Sequence, residues 1–176
     1  KWEPAHDSTV VIGVDIGISS DDTAVAVWEN VGKVRNLRYT EIITDRRLSN
    51  SGINPPKRRN PSSVATRLGQ IHRSFGADYV VLDKTGPGEG FQSEVDREIG
   101  RGAHGFNFSD KDAVENMMGD FNYGLHKEII NLFPDSDGRI KDELSAMVKK
   151  QSHEYQKPKF TGKENSQSGK DDLAMA

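Results

Sequence analysis

The sequence predicts an α/β domain built on a mixed central sheet with flanking helices. Three observations predict it. Between residues 9 and 44 three β-favouring runs follow one another with only turn residues between them, the pattern of an antiparallel meander. An amphipathic helical pattern then separates this meander from a further short strand run. A helix between two strands implies a crossover and a parallel neighbour. Finally, two of the strand runs end in an aspartate, Asp15 and Asp83.

The first strand covers residues 9–16. Val10-Val11-Ile12-Gly13-Val14 carries it inward, and Asp15 arrives where the apolar run stops. An unpaired carboxylate is costly away from water, so Asp15 is either a site residue or a cap for the following loop. Gly17 lets the backbone turn there, or lets another group approach it. Ser19 to Asp22 supply turn chemistry, residues 23–28 form a second strand and residues 34–44 a third.

Residues 45–60 are loop-like. Lys57, Arg58, Arg59 and Arg67 bring four positive charges and no negative one between Pro55 and Arg67. Such a run is a solvated surface loop or a phosphate-contacting arm. A helix follows, with Asn60 as its cap and Pro61 in its first turn. Val64, Leu68, Ile71 and Phe75 fall on one face of it. His72 lies on its flank and Gly76 ends it. The fourth strand is residues 78–83. A glycine-rich turn leads into a helix with Phe91, Val95 and Ile99 on its apolar face, then a short strand over 104–108. The order is therefore β-β-β-α-β-α-β. A long helix capped by Ser109 or Asp110 carries Val114, Met118, Phe121, Leu125 and Ile129, and its methionines read as core residues. A short helix bearing Ile140, Leu144 and Val148 comes next. A strand is expected near residues 153–160, within a lysine-rich stretch, and a last helix opens after Asp171-Asp172. Residues 1–8 form a linker or N-terminal tail, and residues 9–176 a single domain.

Composition narrows the function. The chain has no cysteine, so disulfides and Cys-ligated zinc are excluded. Its formal charge is −3, which argues against coating nucleic acid but not against a local basic groove. No apolar run approaches the roughly 20 residues of a membrane helix. The five histidines are scattered, without zinc-ligand spacing. Gly169-Lys170 is followed by Asp171 and lacks the first glycine of a phosphate loop.

The aspartates carry the chemistry. Asp15 and Asp83 emerge at one sheet edge if their strands are parallel neighbours. Asp171 and Asp172 stand at a helix N-terminus, where negative charge is favoured. Three or four carboxylates in one place repel unless a cation sits among them, and oxygen-only ligands select Mg²⁺ or Mn²⁺. Two such ions about 4 Å apart clamp the attacking and leaving oxygens of phosphodiester hydrolysis. Asp21 and Asp22, in the turn after Asp15, either reach the same site or are plain turn residues.

Three motifs together carry a resemblance. Gly13-Val14-Asp15 with Asp21-Asp22-Thr23-Ala24, then Val81-Leu82-Asp83-x-x-Gly86-x-Gly88, then Gly169-Lys170-Asp171-Asp172-Leu173-Ala174-Met175-Ala176 resemble the nuclease domain of the large terminase subunit of tailed phages and related viruses. Phe106-Asn107-Phe108-Ser109 is similar to its strand-to-helix step. The resemblance spans the whole chain in order. It implies a ribonuclease-H-like fold and an Mg²⁺- or Mn²⁺-dependent, two-ion endonuclease that cuts concatemeric double-stranded viral DNA at the start and end of packaging. It implies catalytic roles for Asp15, Asp83 and Asp172, metal ligation by these and Asp171, and an auxiliary role for Asp21 or Asp22. The expected DNA contacts are Lys57, Arg58, Arg59, Lys84, Lys149, Lys150, Lys157 and Lys159; Lys84 either pairs with Asp83 or touches DNA. Two departures stand out. Ile16, Ile18 and Ser19-Ser20 replace a more glycine-rich turn, and the family's ATPase motor is missing. The abrupt ends of the chain and the missing motor make it an expected fragment of a longer protein. That protein would work with a small terminase subunit and a portal, in the host cytoplasm and transiently at the procapsid.

Two other readings compete. Val14-Asp15-Ile16-Gly17-Ile18-Ser19-Ser20 resembles the first phosphate loop of actin- and sugar-kinase-like ATP-binding proteins, with Asp83-x-x-Gly86-x-Gly88 imitating the second. Those folds need two domains and leave the terminal acidic pair without a role. Another ribonuclease-H-like nuclease, such as a resolvase or transposase core, would share the metal chemistry and differ in substrate. A DNA-binding module without catalysis would not need all three acidic positions.

Overall fold

The expected meander forms. β1 (Thr9–Asp15), β2 (Thr23–Val31) and β3 (Val34–Ile43) pair antiparallel in sequence order. This is seen in a computed structural model, which describes residues 2–17, 22–43, 64–84, 88–100, 102–133, 138–150, 159–161 and 176. Helix α1 (Val64–Phe75) carries the chain across the sheet to β4 (Tyr79–Asp83), which lies parallel to β1. Helix α2 (Gly88–Ile99) makes a second crossover to β5 (Ala103–Phe106), parallel to β4. After α3 (Lys111–His126) a two-residue strand, β6 (Ile130–Asn131), joins the far edge parallel to β3. The sheet order is β5-β4-β1-β2-β3-β6. Helix α4 (Arg139–Ala146) leads to a separate two-stranded ladder of β7 (Val148–Lys150) and β8 (Lys159–Thr161).

The register of β1 on β4 is set at the start of both strands. Val10 N–H donates to the Asp78 carboxylate at 2.8 Å, and Asp78 N–H donates to Val10 C=O at 2.8 Å. This reciprocal pair leaves one alignment for the two strands. Alternation along each strand then sorts the side chains. Val10, Ile12 and Val14 of β1, Val25 and Val27 of β2, and Val80 and Leu82 of β4 face a large core beneath α1 and α2. Val64, Leu68 and Ile71 of α1 fill that core, and Phe75, Phe91, Val95 and Ile99 complete it. Gly76, with φ +60°, ends α1 in the left-handed region that glycine favours. The opposite face is built of smaller residues. Ala24, Ala26, Leu37 and Ile140 form its centre, with Trp28, Ile42, Leu144 and Ala176 packed around them.

Two ion pairs hold the ends of the meander. The register slips between Val27 and Trp28, which leaves Arg38 as the extra residue of a bulge. Arg38 turns to the buried Glu29 and donates to its Oε2 from Nε (2.8 Å) and Nη2 (2.6 Å), while Ala5 N–H donates to Oε1 at 2.7 Å. At the other end Arg67 of α1 donates to both carboxylate oxygens of Glu41, and Tyr39 donates its hydroxyl proton to Oε2 at 2.6 Å.

Four expectations need correction. Val148 lies in β7, not in the last turn of α4, because Met147 takes an extended conformation (φ −61°, ψ 123°). β6 and β7 had no signal, being two and three residues long. The fifth strand is Ala103–Phe106, which begins one residue and ends two residues earlier than expected. Ile129 lies beyond the end of α3, which stops at His126. Of the two expected caps it is Asp110 that serves, accepting from the N–H groups of Asp112 and Ala113. The Asn60 and Pro61 helix start and the last helix fall outside the described residues.

Burial pushes the Glu29 carboxyl up, but the Ala5 amide and Arg38 outweigh it and hold it below its ordinary value of 4.5. Burial likewise raises Glu41, and Arg67 and Tyr39 bring it below that value. A carboxylate with a lowered folded pKa stabilises the fold above its unfolded pKa, and that stability is lost as pH falls through the folded value. Urea midpoints are therefore expected to be flat above about pH 5 and to fall steadily below it. Arg38→Ala strands a buried carboxylate and should cost about 3–5 kcal/mol. The pair Glu29→Gln with Arg38→Met should cost less than Arg38→Ala alone, read from the same urea curves.

Candidate functional site

Asp15 is the last residue of β1 and Asp83 the last of β4. Their ladder runs Gly13 to Val81 and Val14 to Leu82. One more step of that register sets Asp15 beside Asp83, on strands about 4.8 Å apart. Val14 and Leu82 both face the large core, so both aspartates project from the opposite face. Both are half-buried. The parallel pair expected from the crossover thus brings two carboxylates to one sheet edge.

The chain leaving β1 is tied to the first residue of β2. Gly17 N–H donates to Thr23 Oγ1 at 3.2 Å, and the Thr23 side chain is buried. Asp15 stands opposite Ala24 in the β1–β2 ladder, and the half-buried Asp22 precedes β2 in the phase of Ala24 and Ala26. Asp22 therefore stays beside the Asp15 end of the sheet. On the other flank Asp83 pairs with Phe106 of β5, whose ring meets Phe108 edge-on at 4.7 Å.

Lys84 goes elsewhere. Its N–H donates to Phe106 C=O at 2.9 Å. Its side chain lies over Gly105, where an added Cβ would meet Lys84 Cδ at 2.8 Å and Gln92 Oε1 at 3.2 Å. Gln92 belongs to α2, so the Lys84 stem runs on the α2 side of the sheet, away from the face that Asp83 uses. Arg67, counted with the basic run, is engaged with Glu41, which holds its guanidinium charge more firmly than usual through that hydrogen bond.

Lys149 and Lys150 of β7 and Lys159 of β8 are placed as strand positions, Lys150 opposite Lys159 and Lys149 opposite Phe160. Asp21, Lys57, Arg58, Arg59, Lys157, Asp171 and Asp172 lie outside the described residues. Among the described residues, no group of three or more His, Cys, Asp or Glu is arranged to hold a metal, and no helix is long and apolar enough to cross a membrane.

One residue of the site's neighbourhood was missed by sequence reasoning. Gly13 lies two residues before Asp15 on the same face, and a Cβ built there would overlap the main-chain carbonyl of Ala176. The signal was available: a glycine inside a run of β-branched residues marks a close backbone approach.

Several solved structures superpose on nearly the whole chain. The large terminase nuclease from thermophilic phage G20c superposes with a TM-score of 0.72 at 18% identity, over 98% of this chain and 81% of that one. The same nuclease with bound magnesium gives 0.73 at 18% identity, over 98% and 80%. The fold is that of large-terminase nuclease domains. The large terminase nuclease domain of Thermus phage P74-26 agrees, with 0.68 at 17% identity over 99% of this chain and 78% of that one. The α/β, ribonuclease-H-like sheet expected from the three motifs is therefore the fold of this chain. No protein-family model matches the sequence, and no curated protein matches it either.

The juxtaposition of Asp15 and Asp83 has a thermodynamic signature. In EDTA, a double-mutant cycle of Asp15→Asn and Asp83→Asn should give a coupling of about 0.5 kcal/mol or more in urea unfolding. Neutralising the second carboxylate should gain less than neutralising the first. Additive effects would mean that the two carboxylates do not sense each other.

Proposed function

We propose that this chain is the nuclease domain of a viral DNA-packaging terminase, a metal-dependent endodeoxyribonuclease acting on concatemeric double-stranded DNA. One observation carries the reading. The β1–β4 register sets two aspartates side by side on the sheet face that the large core leaves to other uses, within a fold shared with terminase nucleases. The G20c nuclease is known with bound magnesium, which supports a divalent metal here.

The donor set fits a hard cation. Asp15 and Asp83 offer only carboxylate oxygens, and oxygen ligands suit Mg²⁺ and Mn²⁺. Asp15, Asp83 and Asp172 would be the principal ligands, with Asp171 and either Asp21 or Asp22 alongside. When bound, two such ions supply charge stabilisation to the attacking and leaving oxygens of phosphodiester hydrolysis. The protein's own task is to hold the carboxylates in place. β1 and β4 do this through a register fixed at Val10 and Asp78, and the Gly17–Thr23 hydrogen bond restrains the turn next to Asp15.

Lys57, Arg58 and Arg59 would contact backbone phosphates, with Lys149, Lys150, Lys157 and Lys159 as further contacts. These contacts position DNA without reading its sequence. In this reading residues 9–176 are one domain of a longer chain with an upstream ATPase motor. That chain works with a small terminase subunit and a portal, in the host cytoplasm and transiently at the procapsid.

Plasmid cleavage tests the proposal. Nicking or linearisation is expected with Mn²⁺ or Mg²⁺, none in EDTA, and none with a folded Asp83→Asn variant. Cleavage that persists in EDTA or in Asp83→Asn would overturn it. Neutralising Lys57, Arg58 and Arg59 should weaken binding equally across DNA sequences. It should also flatten the log–log salt slope by about 0.9 for each phosphate that the loop no longer neutralises. An unchanged slope would remove that loop from the interface.

A further inference from the structure

The sheet face that bears Asp15 and Asp83 is closed on one flank and open on the other. On the β2 side Ala176 packs with Ala24, Ala26, Leu37 and Ile140, and its main chain lies so close over Gly13 that an added Cβ would overlap its carbonyl. On the other side β5 is the edge strand of the sheet. Strand alternation decides what that open flank presents. Val80, Leu82 and Ala103 face the large core, so Tyr79, Val81 and Asp83 of β4 and His104 and Phe106 of β5 project from the face of the two aspartates. Phe106 stands opposite Asp83 in the ladder, one strand spacing of about 4.8 Å away, and Phe108 meets its ring edge-on at 4.7 Å. His104 lies two residues back along β5, and Tyr79 lies four residues back from Asp83 along β4, about 13 Å. The Tyr79 and His104 rings meet at 5.4 Å, tilted by 58°. Both residues are exposed, Tyr79 by 46%. Among the described residues, none of these three rings packs into either hydrophobic core. They form a strip that runs from the aspartate pair toward the start of β4.

We propose that this strip is a stacking surface for unpaired bases: the DNA strand whose phosphate lies at Asp15 and Asp83 passes over Phe106, His104 and Tyr79 as single-stranded nucleotides. This deepens the nuclease reading above and rests on it. Three features select this occupant. A strand held by one phosphate at the aspartate pair continues across the surface, and with Ala176 on the β2 flank its open course is over β4 and β5. Flat rings on an open sheet accept bases by their faces without regard to sequence, which suits a site whose other expected contacts carry no base information. A base inside a duplex has both faces covered by its neighbours, so a ring stacks on it only once it has left the duplex. A DNA strand advances about 3.4 Å per nucleotide in a duplex and further when unstacked, so a strip of about 13 Å serves at most about four nucleotides. The substrate class that follows is DNA with a short unpaired segment beside the cut.

The test is binding to the whole 176-residue chain, in Ca²⁺, of a fluorescent oligothymidylate of about 12 nucleotides, longer than the strip, and of a blunt duplex of the same length. The wild type is expected to bind the single strand saturably. Tyr79→Ala and His104→Ala should each weaken it about 5-fold or more, the effect of losing one stacked base. Tyr79→Phe, which keeps the ring, should bind as the wild type does. The salt slope should be the same throughout, because stacking releases no counterion. Tyr123→Ala, which removes an exposed ring on α3, should change nothing. Plasmid cleavage with Mn²⁺ is measured on the same preparations. Full single-strand affinity in Tyr79→Ala and His104→Ala, with plasmid still cleaved, would overturn the strip and leave the nuclease reading standing. Equal losses for duplex and single strand, or a wild type that binds only duplex, would overturn it as well. A wild type that binds neither DNA and cuts no plasmid would bring down the nuclease reading, and the strip with it.

Discussion

The parallel alignment of β1 with β4 is the constraint on which the rest depends. It is set at the two strand starts by the reciprocal hydrogen bonds between Val10 and Asp78, and its consequence appears at the two strand ends as Asp15 beside Asp83. A slip of one residue would turn one of the aspartates into the large core. Val80 and Leu82, both buried in that core, make that slip costly. The hydrophobic pattern that stabilises the fold is therefore the same pattern that delivers both carboxylates to one face.

The two faces of the sheet divide the work. One is filled by valine, isoleucine and leucine side chains under α1 and α2, and supplies most of the apolar burial. The other is paved near the site by Gly13, Ala24 and Ala26, which add little stability but let main chain come close. The ion pair of Glu29 with Arg38 joins β2 to β3, and that of Glu41 with Arg67 joins β3 to α1. They tie the N-terminal segment and α1 to the sheet and stay out of the Asp15–Asp83 edge.

Much of this was legible in the sequence because it follows from periodicity and punctuation. The meander, the α1 crossover, the parallel β4 and the Asp110 cap all follow from patterns longer than about five residues or from a capping side chain. β6 and β7 were not legible, because strands of two or three residues carry no period and are made by the neighbours they pair with. Val148 fitted the helical spacing of Ile140 and Leu144, but the backbone turns extended at Met147 and the spacing loses its meaning there. The direction of Lys84 was likewise hidden. It follows Asp83 in sequence, and strand alternation sends it to the other face, over Gly105. Asp15 and Asp83 were legible as strand-ending acids, and their adjacency needed only the parallel pairing. The Gly13 contact with Ala176 joins residues 13 and 176, and only a folded chain brings those together.

The central claim is that the adjacent ends of β1 and β4 form a divalent-cation site. Anomalous diffraction from crystals of this chain soaked in Mn²⁺ measures it directly. The account predicts a manganese peak at the ends of β1 and β4, in coordination contact with carboxylate oxygens of both Asp15 and Asp83. Well-ordered Asp15 and Asp83 with no peak between them, or manganese bound only elsewhere on the surface, would contradict it.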